Sequence, residues 1–302
     1  MIIQNRKFKT EKEKEGFVRE CDKTFDDKLS ETARLISSMD GLKALTLSGP
    51  TCSGKTTIAK KLTECFEALD KDVHIISIDD FYYDREVLNA RADDDPDIEI
   101  DYDSFETIDF DAFCECVEEI FAYKKVHIPK YDFNLGKRSG YTEINCEDDD
   151  LFVFEGIQAI YPQIREVLAK HSFKSIYVSV ESKIKCAGRI FTPSEIRLYR
   201  RLVRDFNFRS ASPEFTFYLW ESVRENEKKN ILPYAGTADI IIDSAMPYDP
   251  NVIKPYLMNV LGCVSEASDC AEETRKIREK FEKIEEISGE YIAPNSLYRE
   301  FI

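Results

Sequence analysis

No window of the 302-residue chain approaches the ~18 consecutive apolar residues that a membrane span needs. The opening stretch MIIQNRKFKTEKEKEGF has too short an apolar run for a signal peptide, so the cytosol is the expected compartment. Positive charge is in deficit: 42 Lys and Arg stand against 58 Asp and Glu, a formal balance of −16. An extended nucleic acid or an anionic membrane would meet a repelling field, and neither is an expected partner. Metal-ligand spacing is missing too. Nine cysteines are scattered without a CxxC pair or a histidine in ligand register, and they read as reduced, buried thiols. The close pair Cys114 and Cys116 falls on the helical pattern DAFCECVEEIFAY, where residues two apart diverge, so no zinc site is expected there. There is no internal repeat.

What is present is enough apolar residue, 43%, to bury a sizeable core. Short apolar runs recur, each followed by a turn and a helical pattern: KALTLS (43–48), VHIISI (73–78), LFVFEGI (151–157), KSIYVSV (174–180) and ADIIIDS (238–244). They lack strict polar alternation, as strands covered on both faces do. The expectation is an α/β fold with a parallel sheet of about five strands and helices on both faces. The segment VHIPKYDFNLGKRSGYTEI reads as an antiparallel excursion turning at Asn134–Gly136, suited to building a substrate pocket. Residues 1–40 form a charged, helical lead, and residues 263–302 a helical extension with Ile277, Phe281 and Ile284 at helical spacing. Packing is the expected role of both ends.

The stretch LSGPTCSGKTT carries the most specific chemistry. Gly49, Gly54, Lys55 and Thr56 satisfy GxxxxGK[ST] between an apolar strand and a helix. Such a loop turns successive backbone N–H groups toward one point, and the helix adds its positive end, which selects a polyphosphate. Gly49, Pro50, Thr51, Cys52, Ser53, Gly54, Lys55, Thr56 and Thr57 are the expected nucleotide contacts. Lys55 is expected to reach the β and γ oxygens and the Thr56 hydroxyl to hold Mg²⁺. Cys52 lies inside this loop, and its oxidation is expected to block nucleotide binding.

Two acidic stations complete the pattern. Asp79 and Asp80 end one strand and Glu155 ends another; in an open α/β sheet the ligand crevice lies at those carboxyl ends. One of the aspartates is expected to act as a base, and Glu155 to support the metal ion. Farther on, SEIRLYRRLVRDFNFR places Arg197, Arg200, Arg201, Arg204 and Arg209 around Asp205 alone. Such a concentration in an acidic chain implies an anion, and a transferring phosphoryl group is the natural candidate.

The runs GPTCSGKTT, IDDFYYDRE, DYDSFETIDFDAF, PKYDFNLGKR, FVFEGIQAI, RLYRRLVRDFNFR and ADIIIDSAMPYD, in this order over about residues 41–260, resemble the uridine kinase family of phosphate-loop nucleoside kinases. The resemblance implies a phosphate-loop NTPase fold over 41–262 and ATP-dependent phosphorylation of a ribonucleoside 5′-hydroxyl. It implies ATP and Mg²⁺ as cofactors, a small-molecule nucleoside as partner, and an oligomer. Asp79 matches the family's base, Tyr82 the substrate wall, Asp103 the ribose-binding aspartate, and Tyr131 and Arg138 the element around the nucleoside. Arg197, Arg200, Arg201 and Arg204 match the arginines of a closing helix, Arg200 on the nucleotide and the others on the transferring group. Three positions depart from the pattern: Gly136 stands where classical members carry a base-reading histidine, Phe105 replaces a proline, and Arg209–Ser210 an Arg–Gly pair. Two other readings stay open, a related kinase for another small alcohol such as a sugar phosphate or pantothenate, and a catalytically quiet ATP-binding regulator.

Overall fold

The computed structural model describes residues 1–94, 104–122 and 125–302. A long helix, α1 (Glu11–Ser37), leads into the central sheet at β1 (Ala44–Ser48), and α2 (Lys55–Glu67) leads back to β2 (Val73–Ser77). After α3 (Phe110–Phe121) the chain leaves the sheet for an antiparallel hairpin, β3 (Lys125–Asp132) and β4 (Lys137–Asn145), and returns through β5 (Leu151–Glu155) and β6 (Phe173–Ser179). Helices α4 (Pro193–Phe208) and α5 (Pro213–Asn226) precede the last sheet strand, β7 (Ile240–Asp243), and α6 (Asp249–Gly262) and α7 (Ala271–Phe281) follow it.

The sheet runs β7-β6-β1-β5-β2, and every neighbouring pair is parallel. All residues of β1 and β5 are buried, which explains why their sequences are unbroken apolar runs rather than alternating ones. The chain order reverses at β1, so a crevice opens at the carboxyl ends of β1 and its neighbours. In the register, Glu155 of β5 lies level with Leu47 of β1 on one side and Ser77 of β2 on the other. The phosphate loop, Glu155 and the turn after β2 are thereby brought to one edge.

Both ends share the core with the sheet. Phe17, Val18 and Leu29 of α1 pack in one apolar cluster with Leu45, Ile58, Tyr298 and Phe301. A buried polar knot joins them: Tyr248 and Ser296 both donate to Asp22 Oδ1, at 2.5 and 2.9 Å. A small sheet absent from the sequence reading joins Ile2–Gln4 to Lys183–Cys186 in parallel, and the latter to Arg189–Phe191.

Candidate functional site

Strand β1 delivers the chain into the loop, and Gly54 closes it at φ 89° as the N-cap of α2. That left-handed turn, with Leu297 Cδ1 only 2.1 Å from where a Cβ would lie, leaves room for glycine alone. Lys55 begins α2 and its Nζ lies back over the loop, 3.4 Å from the Pro50 carbonyl oxygen. Thr56 is exposed at the helix start. Ser53 Oγ is buried and has no hydrogen-bond partner among the described residues, a donor left over inside the cradle. Cys52 is 3% exposed, so the thiol chemistry expected of it has little access to solvent reagents.

Asp79 sits in the 3₁₀ turn Ile78–Phe81 that ends β2. Burial pushes its carboxyl above the usual range; Lys55 opposes this, Asp80 adds to it, and hydrogen bonds from Tyr82 and Gln158 favour the ionised form. The two consecutive acids divide their work. Asp80 accepts the Tyr131 N–H at 2.8 Å and pins the hairpin to the end of β2, whereas Asp79 interacts with Lys55. Gln158, fully buried, donates from Nε2 to the Tyr82 hydroxyl at 2.8 Å and so helps to fix Asp79; sequence reasoning passed over it, and its place three residues after Glu155 was the available signal. Glu155 is pushed up to about 7, first by burial and then by the charges of Asp79 and Glu300, with Lys55 pulling it down.

The hydroxyl of Thr56 and the carboxylates of Asp79 and Glu155 are hard oxygen donors, and the two desolvated acids have one ammonium between them, a balance that suits Mg²⁺. Among the described residues no group of three or more His, Cys, Asp or Glu is arranged to hold a metal by itself. The set is therefore a partial one, of the kind that Mg²⁺ completes with phosphate oxygens and water.

Beside Asp79 three aromatic rings meet edge to face. Tyr82 and Tyr131 lie 5.6 Å apart between centroids, Tyr82 and Phe133 6.1 Å, and Tyr131 and Phe133 5.2 Å. Arg138 reaches Asp109 at 2.8 Å, and Asp109 also caps α3 through the Ala112 N–H. Gly136 turns the hairpin at φ 66°, and a Cβ there would meet the Arg85 guanidinium at 2.8 Å, so Arg85 covers the position where the classical histidine stands. Asp103 lies outside the described residues.

The arginine helix differs from the open, cationic face that its sequence suggests. Arg197 is 3% exposed, Arg200 0%, Arg201 9% and Arg204 8%. Arg197 forms a two-pronged pair with Glu227, Arg200 one with Asp249, and Arg201 and Arg204 both reach Asp205. The first two also grip the phosphate loop from behind: Arg197 Nη1 donates to the Thr51 carbonyl at 3.2 Å, Arg200 Nη1 to that of Cys52 at 3.4 Å. Holding these two carbonyls from behind favours N–H groups turned to the opposite side, apart from that of Ser53, which donates to the Pro50 carbonyl at 3.3 Å. The partners Glu227 and Asp249 escaped sequence reasoning because they lie 30 and 49 residues away.

A glycine loop between a buried parallel strand and a helix, with acids at the neighbouring strand ends, defines a phosphate-loop kinase. Residues 44–249 match the phosphoribulokinase/uridine kinase family model. The chain belongs to that family, and this makes it a phosphotransferase. A uridine kinase of Lactobacillus johnsonii is 32% identical over 65% of this chain and 83% of its own. One of Ureaplasma urealyticum is 30% identical over 58% and 75%. Among solved structures, a putative fructose transport system kinase of Silicibacter sp. superposes with a TM-score of 0.50 at 19% identity, over 71% of this chain and 98% of that one, a likeness of fold. No helix among the described residues is long and apolar enough to cross a membrane.

Proposed function

We propose that this protein is a cytosolic nucleoside kinase that transfers the γ-phosphoryl group of ATP to the 5′-hydroxyl of a uridine- or cytidine-like ribonucleoside. The observation that carries the reading is Asp79, desolvated yet interacting with Lys55, fixed by Tyr82 and Gln158, and bordered by aromatic rings. In this reading the loop amides and Lys55 seat the triphosphate tail, while Tyr82, Tyr131 and Phe133 hold the flat base by stacking and edge contacts. Asp103 and Arg138 would orient the nucleoside, the latter from its anchor on Asp109.

Asp79 accepts the proton of the attacking hydroxyl as its oxygen bonds to the γ-phosphorus, and the bond to the β–γ bridging oxygen breaks, releasing ADP. Arg201 and Arg204, which share the single carboxylate of Asp205, keep unneutralised positive charge for the transferring group. Arg197 and Arg200 act through the loop carbonyls they hold. Mg²⁺, held by Thr56 with Asp79 or Glu155, would supply charge neutralisation at the β and γ oxygens.

A second reading, a kinase for a phosphorylated alcohol, is favoured by Arg85, whose guanidinium stands at the Gly136 turn and donates to the Phe133 carbonyl at 2.9 Å. An ADP-release screen over the common ribo- and deoxyribonucleosides, with pantothenate and ribulose 5-phosphate as further arms, tests both. Uridine or cytidine should give acceptor-dependent ADP and a nucleoside monophosphate. Turnover with a non-nucleoside alone would move the assignment to the second reading, and nucleotide binding without acceptor-dependent turnover would leave a regulator.

A further inference from the structure

The last residues of the chain reach the phosphate loop. Leu297 packs on Gly54, and Tyr298 and Phe301, both fully buried, place their rings 5.5 and 4.8 Å from the Arg200 guanidinium, whose Nη1 holds the Cys52 carbonyl. The Tyr298 hydroxyl donates to the Asp249 carbonyl at 3.2 Å. A segment anchored in this way fixes the backbone of Glu300, whose side chain is half-buried. Its Oε2 accepts the Thr57 hydroxyl at 2.8 Å and the Thr57 N–H at 3.4 Å.

Thr57 is the third residue of α2, so its N–H belongs to the first-turn donors that have no partner inside the helix and that, with the loop amides, form the anion seat. A carboxylate already stands on these donors. Its charge is felt on both sides of the cradle, raising the Glu155 carboxyl and steadying the Arg204 guanidinium.

We propose that Glu300 is an internal anion seated on the polyphosphate site, which the triphosphate tail must displace from Thr57, and that the C-terminal segment thereby sets how tightly that site holds its ligand. The proposal rests on the reading of the loop as a polyphosphate seat. A Glu300 that only caps α2 would add helix stability and leave anion affinity untouched; an internal competitor lowers that affinity. The neutral amide of glutamine keeps the shape and can still accept from Thr57, but gives up the charge.

Inorganic triphosphate and ATP are titrated calorimetrically into the full-length wild type, Glu300→Gln and Glu300→Ala, each with its thermal midpoint measured. Both variants should bind inorganic triphosphate roughly three- to thirty-fold more tightly than wild type, the range expected for an anion at a helix N-terminus. Affinity equal to or weaker than wild type in Glu300→Gln overturns the proposal while the wild-type titration still reports a polyphosphate seat. No triphosphate binding by any of the proteins overturns the seat itself and the proposal with it. Should Glu300→Ala fail to fold, Glu300→Gln decides.

Discussion

On the α4 side of the phosphate loop, six guanidiniums surround three carboxylates: Arg197 and Arg224 on Glu227, Arg200 on Asp249, and Arg201, Arg204 and Arg209 on Asp205. On the strand-end side the balance is reversed, with the single ammonium of Lys55 set against Asp79 and Glu155 and the charge of Glu300 close by. Most of the positive side is buried and paired with carboxylates, so Arg197 and Arg200 work as a scaffold, while the guanidiniums on Asp205 outnumber their one carboxylate and bias the loop toward anions. The negative side carries two carboxyls raised first by burial and then by neighbouring carboxylates, Asp80 for Asp79 and Asp79 and Glu300 for Glu155, the state expected where a proton or a cation has to be taken up. Charge of either sign is thus concentrated beside the loop, in acids raised by burial on one side and in arginines that outnumber the carboxylate of Asp205 on the other.

Removing a charge from each side should give opposite kinds of damage. The largest effect is expected from Asp79→Asn, which should lower kcat by about 10²–10⁴-fold, the usual range for a general base, with ATP still bound and the thermal midpoint close to wild type. A variant that retains full turnover would remove Asp79 from the chemistry and make the acidic side a scaffold as well.

Next comes Arg200→Met, which leaves Asp249 buried beside Ser244 and Met246 without its cation. Breaking one partner of a buried pair costs about 3–5 kcal/mol, and denaturant unfolding should read a loss of that order. If stability were unchanged and only ATP affinity fell, Arg200 would be a ligand-facing group and the division between the two sides would fail.

The smallest of the three belongs to Glu155→Gln. The Glu155 carboxyl is raised from an ordinary value of 4.5 to about 7, so the folded protein holds this proton more tightly than the unfolded chain does. Wild-type stability should therefore fall as pH rises through that interval, by up to about 3 kcal/mol, and stay low above it. Unfolding curves without divalent cation should show the glutamine variant free of this loss and more stable than wild type at pH 8, although turnover drops. A wild type whose stability rises across the interval relative to the variant would contradict the burial of Glu155 as an acid in need of a partner.

The fold was legible because each sheet strand is a local apolar run. The expected segments 43–48, 73–78, 151–157, 174–180 and 238–244 became β1, β2, β5, β6 and β7, each trimmed or shifted by a few residues, and the hairpin turn expected at Asn134–Gly136 lies between β3 and β4. The small sheet with Ile2–Gln4 was not legible, since three residues have no periodicity and their partner lies some 180 residues away. The site divides in the same way. Loop, Asp79 and Glu155 stand at strand ends that the pattern predicts, whereas the pairing of the arginines, the contact of Gln158 with Tyr82 and the arrival of Glu300 at Thr57 carry no local signal.

The amino-acid order by itself determined the parallel sheet, the glycine loop with its lysine, and the acids at the strand ends, because each follows from residues within one or two turns of one another. Which charges would be neutralised was decided only by the tertiary structure. Coulomb and desolvation energies depend on distances through space, and it was the packing of α4 against α6 and of the chain's last residues on the loop that buried the arginines and put a carboxylate at Thr57.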